Sequence, residues 1–160
     1  MTIEVGDRIP DVPVSTPSAD GPKRVGSVEL LGTGKVVLFG VPGAFTPTCS
    51  DYHLPGFVLR ADDLAAKGVD TIACLSVNDA FVMGAWADAR DVGDKVVMIA
   101  DGSADLTRAL GLEVDLSGGG LGLRSKRFAA IFDDGVLTEL AVEEGLGLDV
   151  STADAILAKL

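Results

Sequence analysis

Several kinds of residue are scarce in this 160-residue chain, and each scarcity removes a class of function. It holds two cysteines and one histidine. Two thiols without a CxxC spacing make neither a disulfide framework nor a dithiol redox motif. A lone histidine without clustered carboxylates makes a dedicated transition-metal site an unpromising reading. Basic residues are outnumbered, 13 Lys and Arg against 24 Asp and Glu, for a net charge of −11. Such a surface repels nucleic acid and anionic membranes. Hydrophobic runs fall well short of the roughly 18 residues that span a bilayer, and the opening MTIEVGDRIP lacks the apolar core of a secretory leader. The expectation is an acidic cytoplasmic protein, residues 1–160 forming one domain with enough apolar content (48%) for a proper core.

What is present alternates. The apolar runs Lys35–Gly40 (KVVLFG), Val69–Val77 (VDTIACLSV) and Lys95–Ala100 (KVVMIA) read as buried strands. Helical patterns follow them. One begins at Thr48 or Ser50, is kinked or broken at Pro55-Gly56, and continues from Phe57 to Lys67, where Gly68 ends it. A second runs from Asp79 to Arg90 with Asn78 as its cap, and a third reaches Leu110 and closes at Gly111. Ser27–Leu31 reads as a short strand, and Ser117–Gly122 as a flexible loop. The proline-containing segment from Met1 to Ala19 reads as extended or as an edge strand. Phe128–Phe132 and Val136–Val142, joined by Asp133-Asp134-Gly135, read as a hairpin. Ser151-Thr152-Ala153-Asp154 opens a last helix. The order implies an α/β fold with a mixed central sheet and helices on both faces.

The chain is organised around Val41-Pro42-Gly43-Ala44-Phe45-Thr46-Pro47-Thr48-Cys49-Ser50. It puts Cys49 where a buried strand hands over to a helix. Unpaired backbone N–H groups and the positive end of the helix dipole meet there, and both favour thiolate over thiol. Thiolate formation alone is a weak lever. For any cysteine, lowering the pKa from 8.5 to about 6 raises the thiolate fraction at pH 7 roughly thirtyfold, but intrinsic nucleophilicity falls about tenfold. A fast thiol enzyme must also place its electrophile and stabilise the leaving group. Thr46 offers a hydroxyl three residues before Cys49, Pro42 can wall the sulfur from water, and Arg124-Ser-Lys-Arg127 offers cations just before the hairpin.

PGAFTPTCS resembles the Pro-x-x-x-Thr-x-x-Cys motif of the peroxiredoxins. With HLPGF (His53 to Phe57), VNDAFVMGAW (Val77 to Trp86) and RSKRFA (Arg124 to Ala129) in order behind it, the chain resembles their atypical type II, peroxiredoxin-five-like, subfamily along nearly its whole length. The resemblance implies a thioredoxin-like fold and a thiol peroxidase that reduces hydrogen peroxide or alkyl hydroperoxides through a sulfenic acid on Cys49. It makes Thr46 the substrate-positioning hydroxyl, Arg127 the active-site arginine and Pro42 the shield, with Gly43, Phe45 and His53 lining the pocket. Arg124 and Lys126 are left as surface charges. His53 is expected to order the helix start rather than act as a base.

No metal or organic cofactor is implied. Cys74 stands at a position resembling the second cysteine of plant relatives, where an internal disulfide is proposed; it reads equally as a small buried strand residue. Resolution by an external thiol is the favoured expectation, from glutathione and glutaredoxin or from thioredoxin. A homodimer is implied, with Phe45, Phe81 and Val82 as candidate contacts. The competing reading is a peroxide-sensing redox switch or chaperone that uses the same reactive Cys49 without efficient turnover.

Overall fold

A computed structural model describes residues 1–160. The first strands, β1 (Pro13–Thr16) and β2 (Lys23–Gly26), form an antiparallel hairpin, and the short helix α1 (Ser27–Leu31) follows. Next come β3 (Lys35–Gly40), a long helical stretch ending in α2 (Leu54–Leu59) and α3 (Ala61–Ala66), then β4 (Thr71–Ser76) and α4 (Ala80–Ala89). Beyond these lie β5 (Val97–Ala100), α5 (Asp105–Leu110), the small hairpin β6 (Glu113–Asp115) and β7 (Leu123–Ser125), the hairpin β8 (Phe128–Asp133) and β9 (Val136–Val142), and α6 (Ala153–Leu157).

Seven strands share one mixed sheet in the order β2-β1-β5-β4-β3-β8-β9. The centre, β3, β4 and β5, is parallel, while β1 and β8 join antiparallel on either side. The central strands are buried on both faces because helices cover both, which is why they read as continuous apolar runs rather than alternating ones. One face packs against α2, α3, α4 and α6 through Leu54, Phe57, Leu64, Met83, Trp86 and Ile156. The other packs against α1 and α5 through Leu31, Leu106 and Leu110. At the top of β3, Gly40 pairs with Phe128, and a Cβ there would lie 2.1 Å from the Phe128 ring. Only glycine lets that ring cross the strand just before the Cys49 loop.

Four expectations from the sequence need correction. Ser27–Leu31 is helical, not extended: Ser27 and Leu31, four apart, are the buried pair, and five residues are too few to separate the two periods. The strand at Pro13 is not at the edge, since β2 lies outside it. Pro55-Gly56 does not break the helix. The turn before it widens instead, with Cys49–His53 wound as a π turn closed by the Leu54 N–H on the Cys49 carbonyl. Proline has no N–H to continue the regular ladder, and the break falls later, at Arg60. Asp79, not Asn78, caps α4 by accepting from the Val82 N–H at 2.8 Å. The strands β3, β4, β5, β8 and β9, the Asp133–Gly135 turn and the helix end at Gly68 lie where the sequence puts them.

Candidate active site

After β3 the chain makes an irregular loop and enters the helix that begins beside Pro47, so Cys49 sits in the first helical turn above the ends of the parallel strands. The loop is held in detail. Thr46 Oγ1 donates to the Gly43 carbonyl at 2.7 Å, and the Ser50 N–H donates to the Thr46 carbonyl at 2.9 Å. Phe45 adopts φ 64°, a left-handed conformation that reverses the chain between them. No backbone or side-chain acceptor takes the Cys49 N–H, which leaves it as a donor beside its own sulfur.

Cys49 is 0% exposed and Arg127 2%. They meet directly: Arg127 Nη2–H donates to Cys49 Sγ at 3.1 Å. Nη1–H donates to His53 Nδ1 at 2.9 Å. Since a guanidinium only donates, Nδ1 is the acceptor and the His53 proton lies on Nε2, which donates to the Ser151 carbonyl at 2.8 Å. Burial is the main force holding His53 neutral, lowering its pKa to about 4; the Ser151 bond opposes that, the Arg127 charge adds to it, and Glu143 works the other way. The result is a buried fork whose charge faces the sulfur and whose other prong is fixed by an uncharged ring. Such a site stabilises negative charge on sulfur or on an oxygen bound next to it.

This constellation can be set against known proteins. The redoxin family model matches residues 4–157. A peroxiredoxin named Peroxiredoxin-2E-2, chloroplastic, from Oryza sativa subsp. japonica is 54% identical, over 99% of this chain and 73% of that protein. Peroxiredoxin-2B from Arabidopsis thaliana is 50% identical, over 99% of this chain and 98% of its own length. The crystal structure of reduced Prx3 in complex with hydrogen peroxide from Vibrio vulnificus is 51% identical, covers 99% of each chain and superposes with a TM-score of 0.94. This chain belongs to the type II peroxiredoxins. It is a thiol peroxidase with the thioredoxin-like fold of that family.

In this peroxiredoxin chain Pro42, Gly43 and Cys49 are buried and Thr46 is half-buried. Phe45, expected in the pocket lining, is 52% exposed. Arg124, expected as a surface charge, is half-buried and structural. Its Nη1–H donates to the Pro42 carbonyl at 3.1 Å and its Nε–H to the Leu121 carbonyl at 2.8 Å. A Cβ on Gly43 would lie 2.6 Å from that Nη1, so a larger residue there would push the guanidinium off the Pro42 carbonyl. Asn78, freed from capping, accepts the Ala44 N–H at 3.0 Å and ties the same loop to the end of β4. Ser50 accepts from the Trp86 indole N–H at 2.9 Å, which sets the only tryptophan against the residue next to Cys49. Nothing in the sequence spacing of these partners marks them, since each contact joins residues far apart in the chain.

Cys74 is a free thiol in the middle of β4, in the same buried cluster as Cys49. Burial, and after it the nearby Cys49, push its pKa well up, so it stays protonated at neutral pH. No helix of the protein is long and apolar enough to cross a membrane.

His53 makes the peroxiredoxin's stability pH-dependent. The unfolded chain takes up its proton near 6.5, whereas the folded chain refuses it until about 4. The contribution is whole above pH 6.5 and is lost as pH falls towards 4, because the unfolded state binds the extra proton. Urea denaturation should lose about 2–3 kcal/mol from this group between pH 7 and 4.5. The His53→Gln variant, which shares every other titration, should lose that much less.

Proposed function

We propose that Cys49 is the peroxidatic residue, reducing hydrogen peroxide and small alkyl hydroperoxides. The observation that carries this is the Arg127 Nη2–H on the Cys49 sulfur at 3.1 Å inside a buried helix start. The thiolate attacks one peroxide oxygen along the O–O axis; an S–O bond forms as the O–O bond breaks. The sulfur becomes a sulfenic acid, and the departing oxygen takes a proton and leaves as water or an alcohol. Thr46 has its hydrogen committed to the Gly43 carbonyl, so its oxygen is oriented to accept from the hydroperoxide O–H. Arg127 and the Cys49 N–H take the charge that develops on the leaving oxygen. Pro42 and Gly43 exclude water, Phe45 shapes the mouth, and His53 orders Arg127 without acting as a base. The structure of a relative bound to hydrogen peroxide supports this substrate class.

The sulfenic acid is reduced by an external thiol, from glutathione with glutaredoxin or from thioredoxin. A protonated, fully buried Cys74 supports this over an internal disulfide, since a thiol attacks only as its anion. The Cys74→Ala variant should keep single-turnover oxidation and steady-state turnover within about threefold of the parent. Collapse of turnover with oxidation intact would reinstate the internal disulfide. Peroxide consumption measured in parallel with glutaredoxin and thioredoxin systems tests the whole reading. Turnover with at least one supports it, and stoichiometric oxidation without turnover would favour the redox switch.

A homodimer fits the surface. Phe81 is 74% exposed on α4, with Val82 beside it and Phe45 exposed on the Cys49 loop. Two free thiols fit a reducing compartment, and we take this to be the cytoplasm, although one relative is named chloroplastic.

A further inference from the structure

Glu143 has a place behind Arg127 that no motif announces. It leaves β9 with its backbone N–H donating to the Arg127 carbonyl at 2.9 Å, and it is 9% exposed. One carboxylate oxygen, Oε2, accepts three hydrogen bonds: from the Asp149 N–H at 2.8 Å, the Ser151 N–H at 2.8 Å and the Ser151 hydroxyl at 2.6 Å. The segment from 143 to 151 is thus folded back onto a single carboxylate. Two carbonyls of that segment then face the site. Ser151 accepts from His53 Nε2–H at 2.8 Å, and Leu146 accepts from Arg127 Nε–H at 3.4 Å. Each nitrogen of the guanidinium therefore has an appointed partner: sulfur for Nη2, His53 for Nη1 and Leu146 for Nε. Two of those three partners are set by the Glu143 loop.

We propose that Glu143 is a positioning residue for peroxide reduction, gathering residues 146–151 so that His53 and Leu146 hold Arg127 against Cys49. The inference rests on the roles given to Cys49 and Arg127 above. Its physical basis is preorganisation. An arginine side chain has many rotamers to lose, and a donor misplaced by about 1 Å can cost on the order of a hundredfold in rate. A donor that must meet a charge in the transition state is effective only if it is already in place. Removing the carboxylate frees three donors and releases the two carbonyls that aim the fork.

The test is single-turnover oxidation by hydrogen peroxide, followed through Trp86 fluorescence in Glu143→Ala and Glu143→Gln. It is run beside alkylation of the same thiol by iodoacetamide. Glu143→Ala should slow peroxide oxidation by about tenfold to a hundredfold. Alkylation needs the thiolate but no grip on a leaving oxygen, so it should change by less than about threefold; a loss of packing alone would instead expose the buried sulfur and speed it. Glu143→Gln keeps an oxygen where Oε2 sits and should recover to within about threefold of the parent. In an Arg127→Lys background the Glu143→Ala effect should largely vanish, because the two act through one contact. If Glu143→Ala does not fold, Ser151→Ala, which removes one of the three bonds, should show the same split at about threefold to tenfold.

A folded Glu143→Ala oxidised at the parent rate overturns the inference, as does an equal effect with and without Arg127. A parent protein that reacts no faster with peroxide than a free thiol would instead overturn the reading of Cys49, which keeps the two failures apart.

Discussion

Cys49→Ser should abolish peroxide reduction, lowering the rate by roughly 10⁴-fold or more, to the level seen without protein. The size of the effect follows from the chemistry of the atom rather than from the pocket. A serine hydroxyl is almost wholly protonated at neutral pH and has no base within the site to take its proton. His53, the one candidate, is turned away: Nδ1 is occupied by Arg127 and Nε2 by the Ser151 carbonyl. The serine oxygen can still accept from Arg127 Nη2, so the pocket should keep its shape and the loss should be chemical. Peroxide consumption and a denaturation curve, measured together, check both halves. A variant that stays folded and still turns peroxide over would move the chemistry to another residue.

Arg127→Lys should cost about 10²- to 10³-fold in the rate of Cys49 oxidation, the usual price of removing one aimed donor from a site that stabilises developing charge. The substitution keeps the positive charge but loses the fork. Nη1 and Nη2 reach His53 and Cys49 at the same time, at 2.9 and 3.1 Å, and a single ammonium cannot serve both with that geometry. If the effect were electrostatic attraction alone, Lys would rescue most of the activity. Near-parent oxidation of Arg127→Lys would therefore contradict the account of leaving-group stabilisation, while leaving Cys49 as the nucleophile. Arg127→Ala would be a less clean comparison, since it strands the buried His53 Nδ1 without a donor as well.

Much of this arrangement is legible in the sequence wherever a local pattern dictates one outcome. The runs KVVLFG and VDTIACLSV read as buried strands and form β3 and β4, and Asp134-Gly135, with φ values of 46° and 82°, makes the primed turn its composition calls for. The reactive loop is legible because its prolines, Thr46 and Cys49 stand in one short motif. What the sequence hides is of two kinds. Short elements such as α1 carry too few residues to show a period, and the π turn at Cys49–His53 arises from the missing N–H of a proline that lies beyond it. Long-range partners leave no trace in spacing: Asn78 reaches Ala44 across 34 positions, and Arg124 reaches Pro42 across 82. Arg124 looks like a solvated cation until the fold brings it under Gly43, and Asn78 looks like a helix cap until Asp79 takes that place.

The central claim is that the fold, not the thiol as such, makes Cys49 fast, through Arg127, Thr46 and a free amide set around the departing oxygen. The most direct measurement uses the protein as its own control: the rate constant for hydrogen peroxide oxidation of Cys49 in the native chain, against the same thiol in chain unfolded by urea, corrected for the thiolate fraction of each. The native thiolate should be faster by on the order of 10³-fold or more. Equal corrected rates would mean that the pocket contributes nothing beyond ionisation, and the account would fail.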